Sequence, residues 1–267
     1  MTALTETFTR LSGERPALVG YLPAGFPDVA NSIRAIEAMV EGGFDIIEVG
    51  LPYSDPVMDG PTIQAAADRA LAGGVRTRDV FDVVRASAAT GAATVVMTYW
   101  NPVERYDVER FAADLAAAGG AGMITPDLIP EEAQAWIDAS AKHDLDRIFL
   151  VAPSSGDERL AMTAEAASGF VYATAVMGVT GAREQTSSRA PELVRRLRAV
   201  TDKPIGVGLG VSNADQAAEV GAYCDAVIVG SAIVRRLLDV SPEEGIAAVR
   251  TLAADLRAGV ERASTSG

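Results

Sequence analysis

Cysteine and histidine are nearly absent: Cys224 and His143 are the single representatives of their types in 267 residues. One cysteine excludes an internal disulfide framework, and one of each excludes a Cys/His zinc site. Any hydrolytic triad would have to recruit His143, which stands in the polar stretch AKHDLD and reads as the last turn of a surface helix before the next strand. Lysine is almost as scarce, with Lys142 at a helix end and Lys203 ahead of a strand. Neither position faces the strand ends where a Schiff-base aldolase carries its lysine. Basic charge as a whole is short: 23 Lys and Arg against 36 Asp and Glu leave a net charge of −13. That balance argues against nucleic acid or an anionic membrane surface as a partner, because both need a basic face to displace counterions. No apolar run reaches the roughly 18 residues that span a bilayer, and the polar opening MTALTETFTRLSGERP is no signal peptide, so the expected location is cytoplasmic.

What the chain does have is alternation. Short apolar runs at 17–22, 44–50, 93–99, 121–125, 147–151, 170–174, 204–208 and 225–230 are separated by amphipathic helical patterns such as NSIRAIEAMVEGG and VERFAADLAAAGG. Near-continuous apolar strands joined by long helices imply parallel pairing with both sheet faces covered. Eight such units without a Pro/Gly/Ser-rich linker predict one (β/α)8 TIM barrel filling residues 1–267, with a tail from about 260 that frays. Three connections are longer than their helices need: 51–74, 101–107 and 175–190. Each leaves the carboxyl end of a strand, the rim on which barrel enzymes carry their chemistry.

At that rim two kinds of residue collect. Gly206, Gly208 and Gly210 in PIGVGLGVSN, with Gly230 and Ser231 in IVGSAIV, bring backbone N–H groups to the ends of strands seven and eight, a common phosphate position in barrels. The same glycines would also serve if they only permitted tight turns. An acidic chain can still hold an anion with amides, so a phosphate ester remains a fitting substrate. Among carboxylates, Glu48 interrupts the apolar run FDIIEVG, with no Arg or Lys on the adjoining strand ends to pair it. Asp55 and Asp59 follow in a Pro/Gly-rich stretch where either could be an ordinary turn residue, and Asp127 follows strand four. With imine and metal chemistry disfavoured, acid–base catalysis by carboxylates remains, the substrate itself acting as electron sink.

The segments IEVGLPYSDPVMDGPTIQAA, MTYWNP, TPDLIPEE, GVTGAR, GVGLGVSN and VGSAIV stand in the order and spacing of the tryptophan synthase alpha chain, and the sequence resembles that family over nearly its whole length. The resemblance implies a (β/α)8 barrel that cleaves indole-3-glycerol phosphate to indole and glyceraldehyde 3-phosphate. It implies catalytic carboxylates at Glu48 and Asp59, phosphate ligands at Gly181, Gly210, Gly230 and Ser231, and an indole pocket of Tyr21, Met97, Tyr172, Thr180 and Leu209. It further implies no cofactor in this chain, a beta chain that carries pyridoxal phosphate and consumes the indole within an α2β2 heterotetramer, and a partner contact at Asp55. Ala175, Val176 and Met177 depart from the family, which often has a serine and a basic residue just before GVTG; closure of that loop is what the departure touches. Two other readings share the motifs: a stand-alone lyase that releases free indole, and a non-catalytic subunit that senses the phosphate ester.

Overall fold

The computed structural model describes residues 1–174 and 189–263. Eight strands, β1 (Ala17–Pro23), β2 (Ile46–Gly50), β3 (Ala93–Met97), β4 (Gly122–Thr125), β5 (Asp146–Val151), β6 (Val171–Thr174), β7 (Ile205–Gly208) and β8 (Ala226–Val229), form a closed parallel barrel in chain order. Each lies within a residue or two of the apolar run that predicts it, because a strand covered on both faces is marked by hydrophobicity itself. The register pairs Val19 with Ile46 and Ile46 with Ala93, and closes with Ala17 against Ala226.

The two faces of each strand fill separate cores. Val19, Ile46, Val95, Ile124, Ile148, Phe170 and Ile228 point into the barrel and pack on one another, while the alternate residues pack outward against the helices. Gly206 is the inward position on β7; a Cβ there would come within 2.9 Å of the Phe170 ring. The bottom of the barrel is plugged by α1 (Ala3–Leu11), whose Leu4, Phe8 and Leu11 join the interior cluster. Its N-cap Thr2 hydrogen-bonds the buried Asp146 at the start of β5. Nearby, Arg15 and Asp45, 7% and 5% exposed, meet at 2.7 Å, and Asp45 also accepts the Leu18 N–H at 2.9 Å.

Around the barrel run α2 (Val29–Glu41), α3 (Pro61–Ala72), α4 (Thr77–Ala89), α5 (Trp100–Tyr106), α6 (Val108–Ala117), α7 (Gln134–Lys142), α8 (Asp157–Ala166), α9 (Arg189–Arg198), α10 (Ala214–Gly221), α11 (Ser231–Leu237) and α12 (Pro242–Arg262). Caps mark several starts: Asp28 accepts from Asn31 N at 2.9 Å, and Ser241 and Glu244 form a capping box ahead of α12. The long connection after β2 is partly helical, so its open stretch is 51–60, and 101–107 falls largely within α5. α7 begins only at Gln134, because Pro130–Glu132 ahead of it closes as a 3-10 turn with Ala133 N on Pro130 O at 3.2 Å. At the other end α12 runs to Arg262, into the stretch expected to fray, held by the fully buried Val260. Among the described residues no helix is long and apolar enough to cross a membrane.

Candidate active site

Glu48 occupies the inward position of β2 between Ile46 and Gly50, with Tyr21 and Val95 as its neighbours in register. It is 1% exposed, and neither carboxylate oxygen has a hydrogen-bond partner. Burial pushes its carboxyl up from the ordinary 4.5 to about 8, so the group is neutral at pH 7. A carboxyl held dry, protonated and unpaired inside an apolar barrel is costly to fold, which makes it a candidate for proton transfer.

Asp59 comes from the β2–α3 loop and is half-buried rather than fully solvated. Burial raises its carboxyl, and a hydrogen bond from the Tyr99 hydroxyl pulls the other way. The two carboxyls thus differ: burial alone raises Glu48, whereas on Asp59 the effect of burial is opposed by a donor that favours the ionised form. Asp55, on the same loop, is exposed and accepts only from Ser54 Oγ at 2.6 Å. Asp127 caps α5 instead, accepting the Trp100 N–H at 2.9 Å.

Tyr21 and Tyr172 stand over the two carboxylates. Burial, and after it the charges of Asp59 and Glu48, raise both phenols well above the ordinary tyrosine range. Their rings fit because glycine faces them: a Cβ on Gly50 would lie 2.4 Å from Tyr21 Oη, and one on Gly208 would lie 2.6 Å from Tyr172 Oη. Met97 and Tyr172 pack on the interior cluster as an indole wall would, together with Leu150. Leu209 differs, since it packs on the outer cluster between barrel and helices. A small cleft at the mouth is lined by Tyr21, Leu51, Asp59, Met97, Tyr99 and Pro126. Of these, Tyr99 is a site residue that pattern reading passes over. Its signal was its place directly after β3 in MTYWNP, at the reactive rim.

Gly210 and Gly230 lie together across neighbouring strands: Gly208 pairs with Ile228, and each glycine follows two residues later. Gly210 has φ +72° with open space where a side chain would stand, and Gly230 precedes Ser231 at the start of α11. Thr180, Gly181 and the Ala175–Val176–Met177 departure lie outside the described residues, as does the 175–188 part of the third long connection. His143 ends α7 with Nε2 2.8 Å from Glu109 Oε1, and Lys203 donates to Ala164 O at 2.6 Å at the end of α8, both remote from the rim. Cys224 is buried, its thiol pushed up to about 12 by burial, and is inert.

The family model of the tryptophan synthase alpha chain matches residues 8–261. The tryptophan synthase alpha chain of Nocardia farcinica is 62% identical over 264 residues, covering 98% of this chain and 97% of that one. That of Acidothermus cellulolyticus is 60% identical, with both chains covered in full. Among solved structures, Mycobacterium tuberculosis tryptophan synthase superposes with a TM-score of 0.91 at 58% identity over 97% of this chain and 98% of that one. A more distant match, the alpha subunit from Legionella pneumophila, keeps a TM-score of 0.87 at 30% identity, over 97% of this chain and 98% of that chain. A closed (β/α)8 barrel and an unpaired carboxyl at the centre of its rim are accounted for together: the chain belongs to the tryptophan synthase alpha chain family, lyases that cleave indole-3-glycerol phosphate.

Proposed function

We propose that Glu48 and Asp59 divide the cleavage of indole-3-glycerol phosphate between them in a single-domain barrel. Neutral Glu48 gives its proton to C3 of the indole ring, which becomes an indolenine; Asp59, ionised, pairs with the ring N–H and stabilises the positive charge. The Glu48 carboxylate then takes the proton of the glycerol hydroxyl beside the bond to be broken. The carbon–carbon bond cleaves, its electron pair restores the aromatic ring, and indole and glyceraldehyde 3-phosphate are released with Glu48 protonated again. The observation that carries this reading is the Glu48 carboxyl, 1% exposed with both oxygens unpartnered, next to the open end of the barrel. The backbone at Gly210 and Gly230, with the Ser231 hydroxyl, is the proposed phosphate site, together with Gly181; Tyr21, Met97 and Tyr172, with Thr180, are the proposed surroundings of the indole.

Single-turnover indole release, run beside equilibrium binding of a non-cleavable analogue, tests the roles. Glu48→Gln should lose cleavage while keeping binding; cleavage at the normal rate, or a defect confined to binding, would overturn the assignment.

A partner on the same rim is supported by a separate observation. Val57 and Met58 beside the catalytic loop and Ile129 after β4 are 77%, 49% and 44% exposed, an apolar set that a docked protein would cover, with Asp55 at its edge. We take the occupant to be a beta chain bearing pyridoxal phosphate, in an α2β2 assembly, with no cofactor in this chain. Indole release by the isolated chain equal to that with a matched beta chain would favour the stand-alone lyase instead.

A further inference from the structure

Asp127 is a rim carboxylate that neither the cleavage chemistry nor the partner contact employs. It stands two residues beyond β4, is exposed, and takes the Trp100 N–H on both of its oxygens, at 2.9 and 3.1 Å. Trp100 opens α5, and this helix does not cap itself. The residue ahead of it, where a short polar side chain ordinarily caps, is Tyr99, which makes no side-chain cap bond. Its hydroxyl is engaged elsewhere, accepting the Met58 N–H at 3.1 Å. Pro102, third in the helix, has no N–H, so the amides to be satisfied at the start of α5 are those of Trp100 and Asn101. The acceptor for the first of them is supplied from across the rim, by the loop after a different strand.

The start of α5 in turn tethers the catalytic loop. Asp59 is carried on 51–60, a stretch without helix or strand. Met58, its immediate neighbour, hangs by its N–H on Tyr99 Oη, and further back Tyr53 packs on the Tyr99 ring at 5.3 Å between centroids while its hydroxyl accepts Asn101 Nδ2 at 3.1 Å. Tyr99 and Asn101, which make these contacts, flank the one amide that Asp127 caps. The path is contiguous: Asp127 to the Trp100 N–H, the start of α5 to Tyr53 and Met58, and Met58 to Asp59, each step a hydrogen bond, a ring contact or the chain itself. We propose that Asp127 is a positioning residue for the cleavage reaction, capping α5 from the β4 side so that Tyr99 and Asn101 hold the loop bearing Asp59 in its working place; this rests on the role given to Asp59 above.

The test measures kcat and KM for indole release from indole-3-glycerol phosphate by the full chain on its own, so that docking of a partner does not enter, for Asp127→Ala, Asp127→Asn, Asp59→Asn and the double variant Asp127→Ala with Asp59→Asn. Asp127→Ala removes the cap and should lower kcat about tenfold, with KM within about twofold of the parent, since a displaced carboxylate costs rate before it costs binding. Asp127→Asn keeps one acceptor oxygen for the Trp100 N–H and should hold kcat within about threefold of the parent. In the Asp59→Asn background Asp127→Ala should cost less than about twofold more, because the group it positions is already disabled. Parent-level kcat in Asp127→Ala, a rise in KM in place of the loss of kcat, Asp127→Asn as impaired as Asp127→Ala, or an equal loss in both backgrounds would each overturn the positioning role and leave the catalytic reading standing. Normal kcat in Asp59→Asn would overturn that reading and the positioning role with it.

Discussion

Glu48 carries a conflict between folding and catalysis that pH can expose. Its carboxyl is held at about 8 in the folded chain against an ordinary 4.5, so below pH 4.5 it is protonated folded or unfolded and costs nothing extra. Between those values the unfolded chain has released a proton that the folded chain keeps, and stability contributed by this site falls as pH rises, by up to about 5 kcal/mol at ~1.36 kcal/mol per unit. Glu48→Gln removes that dependence. Urea unfolding of both proteins from pH 4.5 to 8 should show the variant gaining on the parent at each step; parallel curves would refute the buried, neutral carboxyl. The same variant should lose about 10²–10⁴-fold in kcat, the usual contribution of a proton-transferring group. Tyr21 bears on the site sterically as well. Gly50→Ala would drive a methyl against its phenol at 2.4 Å, costing about 1–3 kcal/mol of stability and reducing kcat/KM as the ring shifts into the indole space. Adding Tyr21→Leu should return most of that stability, which denaturant midpoints of the double variant would report.

At the scale of elements, the barrel strands impose where chemistry can occur, and their carboxyl ends collect Glu48, Gly210 and Gly230 on one rim. For the proposed phosphate site the backbone decides which substitution is informative. Gly210 has φ +72°, a conformation that strains any side chain, so Gly210→Val combines backbone strain with loss of anion contacts. Gly230 has φ −123° and its nearest neighbour, Tyr21, would stand 3.5 Å from an added Cβ, so Gly230→Ala fits without strain. Gly230→Ala should raise KM several-fold with kcat and thermal stability held, because it crowds the anion without disturbing the turn; an unchanged KM would move the phosphate elsewhere on the rim.

Over the whole molecule, stability and activity reside at opposite ends of the barrel. The bottom is closed by α1, by Thr2 on Asp146, and by the Arg15–Asp45 pair at 2.7 Å, all far from the catalytic rim. Arg15→Ala would leave the buried Asp45 with the Leu18 N–H at 2.9 Å and the Arg257 guanidinium at 3.6 Å, and should cost less than the ~3–5 kcal/mol of a fully unpaired buried charge. At temperatures where the variant is folded, its kcat and KM should match the parent, and a selective loss of kcat would show that the two ends are coupled. The strands and the barrel were legible in the sequence because each is written locally, in eight apolar runs, and Glu48 stood out as a glutamate interrupting one of them, whereas Asp59 was set apart from Asp55 only by the family resemblance. Hydrophobic periodicity reports burial directly, so it survives without knowledge of what does the burying. Tertiary structure alone decided that Glu48 has no partner, that Gly50 and Gly208 make room for two tyrosines, that Leu209 packs outward, and that Tyr99 holds the loop bearing Asp59. Those are contacts across the barrel mouth between residues as much as 41 positions apart, as for Met58 and Tyr99, and no local pattern encodes them. They exist only once closure of the eight-stranded sheet brings the ends of distant strands to one rim.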